Sequence, residues 1–232
     1  MRRNLQVAVF KRQLVWDRFI CGASIISERF LLTAAHCLYG SSHRPSVFKF
    51  KVGLFDKSEA VPMEQTLLAA KIHMNPEFNY DFHINDIALI ELKDPIQFND
   101  HVQPVCIACN MTLKANELGT VTGWGSQSMT SIGTSNTLRQ VKVPLVSDSQ
   151  CTADYGQEFY PEVMFCAGEK GKDNCRGDAG GPLVYQRKDG VWMQAGLASW
   201  GNGCALANKP GIYTRLSAYS DFIHSVAGVS CL

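Results

Sequence analysis

Alternation of apolar and polar residues with a period of two is the feature that most limits the fold of this sequence. It is clearest in residues 48–52 (FKFKV) and 141–145 (VKVPL), where every second residue is apolar. A strand turns successive side chains to opposite faces of its sheet, so this pattern predicts half-buried strands. Further short strands are predicted at 86–92, 119–122, 182–185 and 211–216. Many short strands separated by Gly, Pro and Asn turns favour a barrel or a sandwich.

Helical spacing is expected only at the C-terminal end. Apolar residues of the segment 219–226 fall at i, i+3, i+4 and i+7, with Ser217 as the N-cap and Gly228 as the stop. A polar, turn-rich stretch at 110–117 separates two similar sets of strands, without an internal sequence repeat. The sequence therefore predicts one domain made of two packed β halves.

Composition excludes several classes of protein. A chain of 232 residues with 46% hydrophobic residues can bury the core of one domain. The 22 Lys and Arg nearly balance the 21 Asp and Glu without a long block of one sign, which argues against a nucleic-acid partner. An apolar run of about 18 residues, the length that crosses a bilayer, is missing from the sequence, so no membrane span is expected.

The nine cysteines point to an extracellular, secreted protein, because disulfides persist in oxidising surroundings. The apolar stretch at 5–10 is too short and too polar for the core of a secretory signal peptide. Two explanations stay open: a leader has been lost from this sequence, or the cysteines mislead about the compartment.

Three segments carry the residue types that amide hydrolysis by a hydroxyl nucleophile requires, namely a base, a carboxylate that orients it and donors for the oxyanion. They are 31–37 (LLTAAHC), 85–89 (NDIAL) and 177–182 (GDAGGP). Their order, with the motifs at 123–125 and 199–201 and the cysteine pairs, resembles the chymotrypsin-like serine proteases of the S1 family from Leu5 onward.

The resemblance implies an all-β fold of two packed six-stranded antiparallel barrels with a C-terminal α-helix. Residues 1–232 would form a single trypsin-like peptidase domain. Its N-terminal barrel is expected at about 5–105, the connector at 106–117, and the C-terminal barrel with the terminal helix at 118–232.

By the same resemblance His36 is the general base and Asp86 the carboxylate that fixes its tautomer. Taken alone, His36 would be a packed histidine and Asp86 a turn residue or strand cap; the combination favours the catalytic roles. Ala179 stands where the family places its nucleophilic serine, and a methyl group has no proton to give up. Because loss of a triad member costs about four to six powers of ten in rate, no useful turnover is predicted.

The backbone N–H groups of Gly177 and Ala179 are the expected oxyanion hole. In the family, Asp178 pairs with an amino terminus exposed by activation cleavage, and no such segment precedes Leu5. Some precursors pair this aspartate with a histidine, but Phe19 occupies that place. An unpaired, buried Asp178 with a raised pKa is therefore expected, together with a disordered or zymogen-like oxyanion loop.

The resemblance also implies a primary pocket for Arg or Lys, because a desolvated cation needs a facing carboxylate. The expected substrate-binding residues are Asp173, Ser199, Trp200, Gly201 and Gly211. Asp173 would supply the carboxylate at the pocket floor, and the alternative is that it is only a loop residue.

Polypeptide substrates or inhibitors containing Arg or Lys are the expected partners. Arg176, at the pocket rim, favours acidic residues near the scissile bond, although a solvated surface arginine is an equal alternative. No cofactor is implied. A calcium loop built on Asp56, Glu59 and Glu64 is a less favoured expectation than an exposed charged loop, because the segment is shorter than the calcium-binding version.

Three disulfides follow from the resemblance. They are Cys21 with Cys37, Cys151 with Cys166, and Cys175 with Cys204. A further bridge of the family is missing as a pair, since Gly119 and Tyr185 occupy its two positions.

Three cysteines are left over. Cys106 would hold an N-terminal propeptide or regulatory domain, as in some relatives, and Cys109 is expected to pair with Cys231. The segment 106–109 (CIAC) is a weaker candidate for a redox or zinc motif, because it has no second ligand pair. Asn110 begins a glycosylation sequon in the connector.

Two origins of such a domain stay open. Retention of His36, Asp86 and Asp173 favours a disabled form of an active protease. The missing amino-terminal segment favours a natural pseudoprotease that acts as a binding or regulatory cofactor. A truncated gene product without a function of its own is a third alternative.

Overall fold

The structure is a computed structural model that describes residues 5–59, 61–109 and 114–230, and it is mostly β. The strands of the N-terminal half are β1 Gln6–Lys11, β2 Arg18–Ile25, β3 Phe30–Thr33, β4 Phe48–Val52, β5 Gln65–Leu67, β6 Ala69–Met74 and β7 Ala88–Leu92. Those of the C-terminal half are β8 Cys106–Ile107, β9 Leu118–Gly123, β10 Arg139–Val146, β11 Met164–Ala167, β12 Pro182–Gln186, β13 Trp192–Trp200 and β14 Gly211–Arg215. The α-helices are α1 Asp148–Tyr155 and α2 Ser220–Ala227. Short 3-10 turns lie at Ala35–Cys37, Pro45–Val47, Gly156–Glu158 and Leu216–Tyr219.

The N-terminal strands form one antiparallel sheet in the order β5-β4-β1-β2-β3-β7-β6. Its two edge strands, β5 and β6, are separated by Leu68 alone, so the sheet curls back on itself and closes. The predicted alternation is present in β4, where Phe48, Phe50 and Val52 are buried and the two lysines between them are half-buried. This strand is therefore packed on one face only, as its period of two requires.

The C-terminal strands form the second barrel. The ring β12-β9-β10-β11-β14-β13 is closed by antiparallel pairing of β12 with β13, and β8 adds to β13 as a parallel seventh strand. Two curled sheets and a terminal helix confirm the double-barrel prediction.

One predicted strand is shorter than expected. The segment 86–92 enters the sheet only at Ala88, and the N–H of Ile87 donates to the carbonyl of Asn85 in a tight turn. Asp86 is thereby released from the ladder at the edge of the barrel. Its side chain is free to point at a neighbouring segment instead of a barrel interior.

The terminal helix is present, but its predicted N-cap is wrong. Ser217 lies inside the 3-10 turn, and α2 begins after Tyr219, which makes no side-chain cap hydrogen bond. Gly228 ends the helix in the left-handed conformation, with φ of 64°, as its lack of a Cβ favours.

The prediction of a single helix is also wrong, because α1 is a second one. Ser147 caps it by accepting a hydrogen bond from the N–H of Gln150 at 3.2 Å. The sequence carried the signal, a serine three residues before a glutamine. Its apolar periodicity is weak, because Cys151 and Tyr155 are its only buried residues.

The two halves share an apolar cluster that also receives α2. Its buried residues are Leu5, Ile26, Leu32, Ile87, Leu89, Val105, Ile107, Val184, Leu197, Leu216, Tyr219 and Ile223. Leu32 of β3 and Leu89 of β7 belong to this cluster, so it holds the two barrels together next to the segments that carry His36 and Asp86.

The three expected disulfides, Cys21–Cys37, Cys151–Cys166 and Cys175–Cys204, are all present. Cys109 is disulfide-bonded, whereas its expected partner Cys231 lies outside the described residues, as does the sequon residue Asn110. Cys106 is a partly buried free thiol. Within the described ranges, no helix has the length and apolar character needed to cross a membrane.

Candidate active site

His36 and Asp86 come together because β3 and β7 are antiparallel neighbours. Thr33 is paired with Ala88, so the end of β3 and the start of β7 lie at the same barrel edge. The Nδ1 atom of His36 is 2.7 Å from Oδ2 of Asp86, and the backbone N–H of His36 donates to Oδ1 at 2.9 Å. One carboxylate therefore holds His36 at two points, the ring atom Nδ1 and the backbone N–H.

Asp86 is fully buried and has partners from the second barrel as well. The hydroxyl of Ser199 donates to its Oδ2 atom, and the hydroxyl of Thr214 donates to its backbone carbonyl at 2.9 Å. The sequence assigned Ser199 to substrate binding, and its contact with the buried carboxylate is a second role that the motif did not reveal.

The contact between the two side chains shifts both pKa values: it favours an ionised Asp86 and makes His36 a stronger base. Burial by itself lowers the pKa of His36, but the charge and hydrogen bond of Asp86 outweigh it, so this pKa is raised. Burial likewise raises the pKa of Asp86, but the contacts with His36 and Ser199 outweigh burial and lower it. The carboxylate therefore stays ionised and holds Nδ1 in its protonated form, which leaves Nε2 as the basic atom.

Ala179 and His36 line one cleft of about 1100 Å³. Other predicted residues on its wall are Gly177, Ser199, Trp200 and Gly201. The carbonyl of Ala179 accepts a hydrogen bond from the N–H of Gly22 at 2.8 Å, and the N–H of Gly180 donates to Ala198 at 2.7 Å. The loop is therefore hydrogen-bonded to both barrels. Its side chain at position 179 is a methyl group.

The Asp178 carboxylate packs against the backbone of two glycines, Gly123 and Gly125. It accepts hydrogen bonds from the N–H groups of Gly125 at 2.8 Å and Cys175 at 2.9 Å. A Cβ atom at Gly123 or Gly125 would overlap the carboxylate. The Gly-Trp-Gly motif therefore has a steric reason: only residues without a side chain let the carboxylate reach the backbone.

Lys57 is a cation that the sequence did not connect with this site. Its Nζ donates to the hydroxyl of Thr134 at 2.7 Å and lies 4.0 Å from the ring centroid of Phe19. Burial raises the pKa of Asp178, while hydrogen bonds from Cys175 and Gly125 and the charge of Lys57 act in the opposite direction. The raised pKa agrees with the direction expected for this carboxylate.

The disordered or zymogen-like state of the oxyanion loop stays a prediction. Gly177 has φ of 101°, in the left-handed region that glycine adopts without strain. A crystal structure in which the N–H groups of Gly177 and Ala179 converge on one anion would contradict it.

Asp173 lies beside the cleft and not on its wall. It lines an adjoining cavity of about 260 Å³, and the disulfide Cys175–Cys204 borders both spaces. Its carboxylate accepts hydrogen bonds from the N–H groups of Asn174 (2.8 Å), Ala205 (3.0 Å) and Gly211 (3.2 Å). Burial raises the pKa of Asp173 to about 6.

His83 is a further residue of the site that the sequence prediction missed. Its ring centroid is 5.3 Å from that of His36, and burial lowers the pKa of His83. It also contacts Tyr80 and Trp200, which line the cleft. A histidine three residues before Asp86 was the available signal.

Several of the described groups that could bind a metal are engaged in other contacts. Cys21, His36 and Cys37 bring donor atoms within 4.8 Å of one another, but the two cysteines form a disulfide and offer no thiolate. Of the residues considered for calcium, Asp56 accepts hydrogen bonds from Ser58 and Thr137, and Glu64 pairs with Lys51 at 2.6 Å.

The site combines an imidazole that is hydrogen-bonded to a buried carboxylate with a glycine-rich loop, between two β-barrels. This combination is typical of the chymotrypsin-like serine proteases. Comparison with known proteins agrees: the family model described as Trypsin matches residues 2–223. Trypsin-1 of Astacus astacus is 41% identical over 211 residues, which cover 89% of this chain and 87% of that protein. Serine proteinase stubble of Drosophila melanogaster is 37% identical over 213 residues, which cover 88% of this chain and 26% of that protein. The chain therefore belongs to the trypsin family and forms a trypsin-like serine protease domain.

Proposed function

We propose that this domain is the disabled form of a trypsin-like endopeptidase, which binds polypeptides through an Arg or Lys side chain and does not cut them. The observation that carries the proposal is the complete His36–Asp86 pair, with Nδ1 to Oδ2 at 2.7 Å, in one cleft with the methyl group of Ala179.

The chemistry stops at a single step. Nε2 of His36 would take a proton from a hydroxyl nucleophile, whose oxygen would then bond to the substrate carbonyl carbon. Ala179 has neither the proton nor the lone pair, so the acyl-enzyme cannot form. The backbone N–H groups of Gly177 and Ala179 are unaffected by the substitution and would still be able to bind a carbonyl oxygen.

Specificity for basic side chains is supported by the surroundings of Asp173. The carboxylate is partly buried and accepts hydrogen bonds from three backbone N–H groups, so a ligand cation would be its first full counter-charge. Arg or Lys is the side chain that compensates a desolvated carboxylate.

A natural pseudoprotease with a binding or regulatory role is the second candidate. The cleft of about 1100 Å³, which His36 lines with Ala179, favours it, because the space needed to hold a polypeptide does not depend on the nucleophile. The two candidates differ in whether the rest of the machinery works once a hydroxyl is restored.

The variant Ala179→Ser separates them. We expect it to hydrolyse an arginyl peptide substrate at least about 10³-fold faster than the parent chain, given the cost of losing a triad member. The variant is assayed in its activated form, and Ala179→Ser with His36→Ala is the matched inactive control. A folded Ala179→Ser variant that stays silent would contradict the disabled-enzyme proposal and favour the pseudoprotease.

The binding pocket is tested separately in the parent chain. We expect 4-aminobenzamidine, an arginine-like cation, to bind and Asp173→Ser to abolish that binding. Detection by ligand fluorescence is independent of turnover. Binding that is unchanged in Asp173→Ser would remove the proposed specificity.

We also propose that the chain acts outside the cell. Three disulfides formed within the described residues support an oxidising compartment. Attachment of a propeptide through Cys106 stays a prediction, which non-reducing mass spectrometry of the protein purified from its source would test.

A further inference from the structure

The cleft carries positive charge that no carboxylate on its wall balances. Lys11, Arg18 and Arg176 line it, and among the described residues on its wall there is no Asp or Glu. Over the chain as a whole, 22 basic residues face 21 acidic ones, so the imbalance is local to the cleft.

The hydrogen bonds of these cations go to neutral oxygens. Lys11 donates to the hydroxyl of Ser41 at 3.0 Å, and Arg176 donates to the carbonyl of Ser131 at 3.3 Å. Neither contact neutralises the charge, and both side chains keep further N–H groups for a ligand.

The carboxylate nearest in sequence to Arg18 is already engaged. Asp17 forms an ion pair with Lys49 at 2.6 Å. Asp17 is therefore neutralised by Lys49, and the positive charge of Arg18 is available to a ligand in the cleft.

Two of the cations, Lys11 and Arg18, are reached from Ala179 along β2. Gly22 of β2 donates to the carbonyl of Ala179, and β2 leads outward from there to Arg18, which is paired in register with Lys11 of β1. Four strand residues span about 13 Å, roughly the reach of three or four residues of an extended peptide. A chain anchored by a basic side chain at Asp173 and continuing past Ala179 along β2 would therefore reach Arg18 and Lys11.

We propose that the cleft selects polypeptide segments in which acidic residues follow the basic anchor residue. This inference rests on the proposed function, because it takes the Arg or Lys anchor as given. It adds that the segment C-terminal to the anchor is recognised by charge, through Arg18 and Arg176 with Lys11.

The test uses the parent chain, in which binding can be measured at equilibrium. Three labelled peptides each contain one arginine: the first has two glutamates after it, the second two glutamates before it, and the third glutamines in all these places. By fluorescence anisotropy in about 50 mM salt, we expect the first peptide to bind about five- to tenfold more tightly than the others. The difference should shrink in about 500 mM salt because screening weakens exposed charge pairs.

Variants locate the effect. Arg18→Gln and Arg176→Gln should each remove a large part of the difference between the first and third peptides. Lys142→Gln is the matched control, because it removes the same charge from an exposed residue of β10 that does not line the cleft. That variant should leave the difference unchanged.

The outcomes separate the inference from the proposed function. If the glutamate and glutamine peptides bind equally and Asp173→Ser still abolishes binding, the acidic preference is refuted and the pocket stands. Equal gain from glutamates before and after the arginine also refutes it. If no peptide binds, or binding ignores Asp173→Ser, the proposed function itself fails.

Discussion

The side chains of Asp173 and Asn174 leave no room for a Cβ atom at position 211. A Cβ built there would lie 2.3 Å from Nδ2 of Asn174 and 2.6 Å from Oδ1 of Asp173, whereas one at Gly201 would meet no atom closer than 3.5 Å. We expect Gly211→Ala to destabilise the protein by about 1–3 kcal/mol through overpacking and to weaken 4-aminobenzamidine binding. Gly201→Ala is the matched control and should change the free energy of unfolding by less than about 1 kcal/mol. Urea unfolding of both variants decides; equal stability of the two would contradict the steric argument.

The affinity of the pocket for a cation should depend on pH through Asp173. Burial raises the pKa of this carboxyl to about 6, so it is protonated and neutral below that pH and ionised above it. Because the cation binds the ionised form, the affinity for 4-aminobenzamidine should fall by up to about tenfold per pH unit below about pH 6. Titration of ligand fluorescence measures this. A profile that is flat between about pH 4 and 6 would show that the carboxylate does not face the ligand.

Single residues differ in how well the sequence revealed them. His36 and Asp86 were predicted from motifs, and the structure places them in hydrogen-bond contact. His83 and Lys57 were not predicted, because neither belongs to a motif and both reach the site through loops. A loop side chain is placed by the tertiary fold and not by its neighbours in the chain.

Helix α1 depends on its cap more than on an apolar face. Since Ser147 accepts a hydrogen bond from the N–H of Gln150, Ser147→Ala should cost about 1 kcal/mol of unfolding free energy. Ser147→Asp keeps an acceptor and should retain most of the stability. Chemical denaturation of the three proteins is the measurement, and a loss of equal size in both variants would contradict a capping role.

The loop between β4 and β5 joins the two halves through Lys57. Burial lowers the pKa of Lys57 to about 8 in the folded chain, against 10.5 for an ordinary lysine. Between these values the unfolded chain binds more protons, so this group makes the folded state more stable as the pH rises through that window. Lys57→Met removes the contribution, which is below about 1 kcal/mol because the side chain is partly exposed.

Unfolding of the parent and Lys57→Met proteins at about pH 8 and about pH 10 tests this dependence. The unfolding free energy of the parent, minus that of the variant, should be larger at the higher pH. A difference that does not change with pH would indicate that Lys57 is not desolvated.

Helix α2 connects both barrels through the shared apolar cluster. Ile223 is fully buried in it, so Ile223→Ala should destabilise the whole molecule by about 2–5 kcal/mol. His224→Ala, on the exposed side of the same helix, should stay within about 0.5 kcal/mol. Because the cluster includes residues of both halves, we expect one cooperative transition in urea, monitored by tryptophan fluorescence and circular dichroism. Two separate transitions would contradict a shared core.

Local patterns in the chain were enough to establish much of this molecule. Alternation located strands such as β4, the left-handed stop at Gly228 followed from residue type, and position 179 was read directly as alanine. Three features of the site could be seen only in the folded structure. They are the packing of Asp178 against glycine backbone, the contact of Ser199 with Asp86 and the position of Lys57. These contacts join segments 53, 113 and 77 residues apart, as Gly125 to Asp178, Asp86 to Ser199 and Lys57 to Thr134. Strand periodicity and caps act between near neighbours and are visible in sequence, whereas burial and charge at the site come from distant segments that only packing brings together.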